Sequence, residues 1–222
     1  MASEDFDNYT EVDPTGAGKS SGHIQWGDPD DNHIDFTPAC NEDAYLYLDK
    51  GANHFGDFTH LVTVQLNSVS DNFGRGIVYS LTVDTVDDWY GLISNNKTAI
   101  GIRLRRESPV SYRLYLEEIY NGTFYADSYV ISLSTPYYLT IDKAGTALTC
   151  KIYSDAARTN LLDTLQLNLH ADHKFRYVMP CNTYHSGTQT CDIDIDDLDL
   201  QEGEQYRGAI YQFHTLGVQT YR

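Results

Sequence analysis

The sequence has no apolar run near the roughly 20 residues that a membrane-spanning helix requires, so insertion into a bilayer is not expected. Positive charge is scarce as well: 15 Lys and Arg stand against 32 Asp and Glu, a formal net charge of -17. That field repels phosphate backbones and anionic membrane surfaces, which removes nucleic acid from the expected partners. Where copies of such a chain pack together the repulsion must be relieved, and bound divalent cations are one means. The first residues, Met1-Ala2-Ser3-Glu4-Asp5, hold neither a basic nor an apolar stretch, so no secretory signal is expected there. Helical periodicity is missing too. No window of a dozen residues shows it, and Asp155-Ala156-Ala157-Arg158 forms one turn at most.

Cysteine is sparse. The four residues Cys40, Cys150, Cys181 and Cys191 allow three full pairings, and the sequence does not choose among them. Cys181 and Cys191 flank an expected hairpin and are the best disulfide candidate; buried free thiols are the alternative.

What the chain does have is alternation. Hydrophobic residues make up 41% and aromatics 13%, with 18 Tyr, enough for a core and suited to half-exposed pleated surfaces. Apolar positions recur with a period of two at Val62, Val64 and Leu66, at Ile77, Tyr79, Leu81 and Val83, and at Ile100, Ile102 and Leu104. The same pattern runs through Val110, Tyr112, Leu114 and Leu116, through Leu139 and Ile141, and through Leu148, Cys150 and Ile152. It returns at Leu165, Leu167 and Leu169 and at Ile193 and Ile195. Turn residues separate the runs, Asn121-Gly122 being the strongest hairpin signal. Many short strands with turns between them predict an all-β chain built as a two-sheet antiparallel β-sandwich or jelly roll.

Residues 1–33 are polar and acidic and read as an extended N-terminal arm; residues 34–200 form the sandwich; residues 201–222 read as a C-terminal strand or tail. The arm has too few apolar side chains for a core of its own. It is expected to be ordered by lying on something, either a neighbouring copy or its own sheet. Gly16-Ala17-Gly18-Lys19-Ser20 imitates the end of a phosphate-binding loop, but Asp13 stands where that motif needs Gly, so the reading is rejected.

Three patterns resemble the concanavalin A-like lectin/glucanase superfamily in its laminin-G-like form, especially versions found in phage and environmental sequences. They are His54-Phe55-Gly56-Asp57-Phe58 before a strand, Tyr137-Tyr138-Leu139-Thr140-Ile141-Asp142 followed by Leu148 to Asp155, and the closing run Asp192 to Leu200. The resemblance covers about two-thirds of the chain and implies a lectin-like sandwich more than any activity.

Asp192-Ile193-Asp194-Ile195-Asp196-Asp197 is similar to the E-x-D-x-x-E strand of family-16 glucanases, whose two Glu act as nucleophile and acid/base. Here Asp192 and Asp197 stand in those positions, each a methylene short, so the resemblance implies a hydrolase only as a second alternative. The clustered carboxylates of Asp192, Asp194, Asp196 and Asp197 are equally a candidate calcium site, and alternation alone also produces them. No cofactor is otherwise required. His170-Ala171-Asp172-His173 brings two imidazoles and a carboxylate together but shows no third metal ligand; solvated turn residues are expected there, as for His54 and His60. Trp89, Tyr115, Tyr138 and Tyr153, with Trp26, are candidates for stacking on sugar rings. Asn8, Asn96 and Asn121 begin N-x-T sequons and are candidate glycosylation sites.

Two classes of function follow. The first is a non-enzymatic structural subunit of an extracellular or virion-surface assembly, joined to other copies as a filament or layer by strand addition from its termini. The second is a glycan-binding lectin-like module, with or without calcium.

Overall fold

A computed structural model describes residues 4–13, 22–26, 32–184 and 187–202. The expected all-β architecture is what the chain forms: two seven-stranded antiparallel sheets packed face to face as a jelly-roll β-sandwich. The first sheet runs in the order β1 (Thr10–Val12), β4 (Tyr45–Asp49), β13 (Tyr177–Met179), β6 (Arg75–Thr82), β7 (Ala99–Ser108), β8 (Ser111–Tyr120), β9 (Thr123–Ile131). The second runs β12 (Leu161–Asn168), β11 (Ala147–Tyr153), β10 (Tyr137–Ala144), β5 (Phe58–Val69), β14 (Cys191–Asp199), β3 (His33–Phe36), β2 (Ile24–Trp26). Among the described residues no helix is long and apolar enough to cross a membrane.

The alternation read from the sequence places the core. Ile100, Ile102 and Leu104 of β7, Leu114 and Leu116 of β8, and Ile193 and Ile195 of β14 all enter one buried cluster between the sheets. Asn121 and Gly122 both take positive φ, 48° and 73°, and close the β8–β9 hairpin as a two-residue loop between Tyr120 and Thr123. Val110 departs from the pattern. It sits at the β7–β8 turn, 88% exposed, because Pro109 ends the preceding strand's ladder.

The segment expected as an arm docks, in its described parts, on the chain's own sandwich. β1 pairs with β4 at one edge of the first sheet, and β2 pairs with β3 at one edge of the second. Phe6 and Ile24 are fully buried and Tyr9 and Trp26 nearly so, all within the main core. Four large side chains anchor this segment and its two edge strands to the core even though their neighbours are polar. Residues 203–222 and the rejected phosphate-loop stretch 16–20 lie outside the described residues.

The Cys181–Cys191 pairing is corrected. All four cysteines are free and buried. Cys181 follows β13 in the first sheet, where its carbonyl accepts from the Leu46 amide, whereas Cys191 opens β14 in the second. The two residues flank a crossing between sheets and not a hairpin, so their side chains have no shared rung.

Candidate functional site

The outer face of the first sheet collects chemistry from strands far apart in sequence. Because Ile100, Ile102 and Leu104 point inward, Gly101, Arg103, Arg105 and Glu107 of β7 point out; on β8 the same rule sends Arg113, Tyr115 and Glu117 outward. Strand register then lines them up. Arg75 lies opposite Arg105, and Arg105 opposite Arg113, so three arginines form one row across three strands. In the next row Arg103 faces Tyr115, and in the one after it Gly101 faces Glu117.

Part of this face is roofed by α1 (Trp89–Ser94), the one α-helix among the described residues, missed in the sequence because six residues show no periodicity. Its signal was the paired Asp87-Asp88: the Asp88 carboxylate accepts from the Tyr90 and Gly91 amides at 2.9 Å each and caps the helix. Trp89 and Leu92 pack on Ile77, Ala99 and Ile119 as a second small core. Gly101 makes that possible, since a Cβ there would lie 2.7 Å from the Trp89 ring.

Beneath the roof lies a buried ion pair. Glu117 accepts from Arg103 Nε at 2.6 Å and Nη2 at 2.5 Å, and from Trp89 Nε1 at 3.1 Å. Burial pushes the Glu117 carboxyl up to about 7, while Arg103 and the indole N–H pull against it. The Arg103 guanidinium lies 4.6 Å from the Tyr115 ring centroid and 5.3 Å from that of Phe124.

Beyond the roof the face is half-buried and rich in arginine. Arg75 stacks 3.6 Å over Tyr184, Arg105 lies 5.0 Å over Phe73 and 3.2 Å from Glu107, and Arg113 donates to Ser128 Oγ at 2.9 Å. Tyr115 donates its hydroxyl to Glu107; burial first and that carboxylate second raise its pKa to about 12. Burial lowers the pKa of Arg75; Tyr184 opposes the shift, and Arg103 and Arg105 add to it. Like charges on directly opposed strands are destabilising, so a row of three arginines is a feature that an anion would relieve. On the β13 and β4 side of the same face, Tyr45, Tyr47 and Tyr177 form an aromatic strip, Tyr47 and Tyr177 edge to face at 6.2 Å.

The residues singled out in the sequence are divided between the two sheets. Tyr115 belongs to this face. Trp89 is fully buried beneath it and offers no ring to solvent, which corrects its reading as a stacking residue. Tyr138 and Tyr153 are cross-strand neighbours on β10 and β11, on the opposite sheet. Trp26 is in the main core and donates to Asp7. Asp192, Asp194 and Asp196 point outward from β14: Asp192 accepts from Asn67, Asp194 from Gln65, and Asp196 meets His33. Asp197 sits in the β14 bulge at φ 53° and accepts from Thr63. Asn8, Asn96 and Asn121 are all exposed.

Of the histidines expected in solvated turns, His60 is placed otherwise, while His170 is exposed in a bend as expected. His60 is a core residue, 1% exposed. His170 is pinned to the buried Glu118, whose carboxylate accepts from its amide at 3.0 Å and meets its Nδ1 at 2.8 Å.

No family model matches the sequence, and no curated protein does. Solved structures do match the fold. The alginate lyase AlgAT5 from polysaccharide lyase family 7 superposes with a TM-score of 0.55 at 14% identity, over 88% of this chain and 94% of that one. A prokaryotic β-1,3-1,4-glucanase (lichenase) from a mouse hindgut metagenome gives 0.52 at 10% identity, over 90% and 98%. A legume lectin-like domain from Entamoeba histolytica gives 0.51 at 14% identity, over 85% and 88%. The chain thus has the concanavalin A-like β-sandwich fold, and the solved structures that share it include a lectin-like domain, a glucanase and alginate lyases. The expectation that it is not an enzyme is corrected: the neighbours are mostly enzymes, so this architecture gives no ground for excluding catalysis.

Proposed function

We propose that the chain engages acidic polysaccharide on the outer face of its first sheet. The observation that carries this reading is the row Arg75, Arg105 and Arg113, placed beside Tyr115 and Tyr184 on a protein whose net charge is -17. Guanidinium groups match carboxylates in bidentate geometry, and tyrosine rings offer flat surfaces to pyranose rings. Alginate, the polymer acted on by several structural neighbours, is the first ligand to try.

Affinity electrophoresis in alginate and in neutral laminarin tests the proposal. Retardation is expected in alginate alone. The double variant Arg105→Ala/Arg113→Ala should lose it, at roughly tenfold in affinity per arginine, since hydrogen bonds to charged groups contribute about 1.5–3 kcal/mol each. Tyr138→Ala, on the other sheet, should change nothing. Equal retardation in both polymers, or alginate binding that survives the double variant, would overturn the assignment.

A second reading rests on Tyr115, whose hydroxyl is paired with Glu107 beside Arg105. In β-elimination an arginine neutralises the uronate carboxylate, the Glu107 carboxylate takes the proton at C5, the C4–O bond breaks as the C4–C5 double bond forms, and the leaving oxygen takes the Tyr115 hydroxyl proton. Ultraviolet absorbance of the unsaturated product reports this, and Tyr115→Phe should abolish it. Self-assembly through donated terminal strands is the rival reading. The described N-terminal strands, β1 and β2, are occupied within their own chain, which favours the glycan reading.

A further inference from the structure

The opposite face of the sandwich carries a separate cluster. β3 pairs with β14 so that His33 faces Asp196 and Asp35 faces Asp194. Ile34, Phe36, Ile193 and Ile195 point inward between them, so these four polar residues form a square on the outer face of the second sheet. One ligand atom from each of His33, Asp35 and Asp194 lies within 4.8 Å of the others, and all three residues are half-buried.

The imidazole is held in a telling orientation. His33 Nδ1 is 2.6 Å from Asp196 Oδ1, and Nε2 is 3.1 Å from Asp35 Oδ1. With its proton on Nδ1 and donated to Asp196, Nε2 presents a lone pair to carboxylate oxygens that are themselves acceptors. Such an arrangement needs a cation between them, either a second proton on the ring or a metal ion. Metal-bound histidines characteristically donate their other N–H to a carboxylate, which is the part Asp196 plays. Asp194 is steadied in the same way by Gln65 Nε2, 3.3 Å from its Oδ2. Asp35 and Asp194 are like charges directly across a ladder, a pairing that costs stability until a cation bridges it.

We propose that His33, Asp35 and Asp194 bind one divalent transition-metal ion, zinc being the best-fitting class, with Asp196 and Gln65 orienting the ligands. One imidazole with two carboxylates suits a borderline ion, whereas calcium favours an all-oxygen shell. The site differs from the calcium reading of Asp192, Asp194, Asp196 and Asp197: Asp192 and Asp197 are engaged by Asn67 and Thr63, and His33 and Asp35 enter instead. The ion would staple β3, which carries β2 and the N-terminal edge, to the central strand β14. It lies on the sheet opposite the arginine row and does not depend on the glycan reading.

The test uses the full chain, freed of metal with EDTA, titrated with zinc chloride and with calcium chloride. One equivalent of zinc should bind, and at a hundredfold excess over Kd it should raise the melting temperature by roughly 5–10 °C. Calcium should do far less. His33→Gln should weaken zinc binding at least tenfold, while Asp192→Asn, an acid on the same strand outside the site, should bind as the parent does. If His33→Gln does not fold, cobalt(II) added to the parent chain supplies the second measurement: visible absorption bands of a mixed nitrogen and oxygen shell, displaced by one equivalent of zinc. A parent chain without stoichiometric zinc binding would overturn the proposal, as would His33→Gln and Asp192→Asn variants that bind zinc alike. A protonated His33 would then be the cation of the square.

Discussion

Replacing Arg103 by Met is expected to destabilise the chain by about 3–5 kcal/mol, a large share of the stability of an ordinary domain. The reason lies in what remains. Glu117 is fully buried beneath α1, and without the guanidinium its carboxylate keeps only the Trp89 N–H. Burial already raises the pKa of Glu117 to about 7 against Arg103's pull, so losing Arg103 drives it higher. A carboxyl whose folded pKa exceeds its unfolded value of 4.5 favours folding at low pH and loses that contribution as pH rises through the folded value. The deficit of Arg103→Met should therefore be small in acid and widen towards and above neutrality. The double variant Arg103→Met/Glu117→Leu removes both charges and should recover most of the loss, since a buried pair replaced by apolar groups is often neutral. Urea unfolding followed by far-ultraviolet circular dichroism at several pH values measures all three chains. A single-variant cost below about 1 kcal/mol, independent of pH, would show that the pair carries no such weight.

How much of this was legible in the sequence follows from the range of each interaction. Strand faces are local: the period of two at Ile100, Ile102 and Leu104 fixes which neighbours point out, and the sandwich follows from many such runs. The Asn121-Gly122 turn is local too, because only its own two residues must reach positive φ. The arginine row is not local. Arg75, Arg105 and Arg113 meet only once register is known, and nothing within any one strand sets the register of the next. The square at His33 was half visible, as the Asp run 192 to 197, but its imidazole arrives from the other end of the chain. The burial of Phe6 and Ile24 was hidden for a different reason. Composition averages over a segment, whereas an edge strand is anchored by one or two buried side chains.

Acid should unfold this chain through His60 ahead of much of its surface. The imidazole is 1% exposed, stacked 4.2 Å from Phe58 and edge-on to Phe55 at 5.2 Å, with Nδ1 2.7 Å from the Tyr79 hydroxyl. Burial, with smaller contributions from Lys50 and His54, lowers its pKa from 6.5 to about 3. Above pH 6.5 the ring is neutral in folded and unfolded chains alike, and its full contribution to stability is present. As pH falls the unfolded chain takes up the proton first, so stability drains away through the window down to about 3, by an amount on the order of 4 kcal/mol. Asp and Glu titrate in the same range, so the informative quantity is the difference from His60→Phe. That variant keeps the aromatic stack but strands the buried Tyr79 hydroxyl, costing about 1–3 kcal/mol at neutral pH. It has no proton to gain, so its stability should decline less steeply between pH 6.5 and 3, and the two curves should approach or cross in acid. Parallel curves across that window would mean that His60 is protonated inside the folded core, and that the aromatic cage around it tolerates a charge.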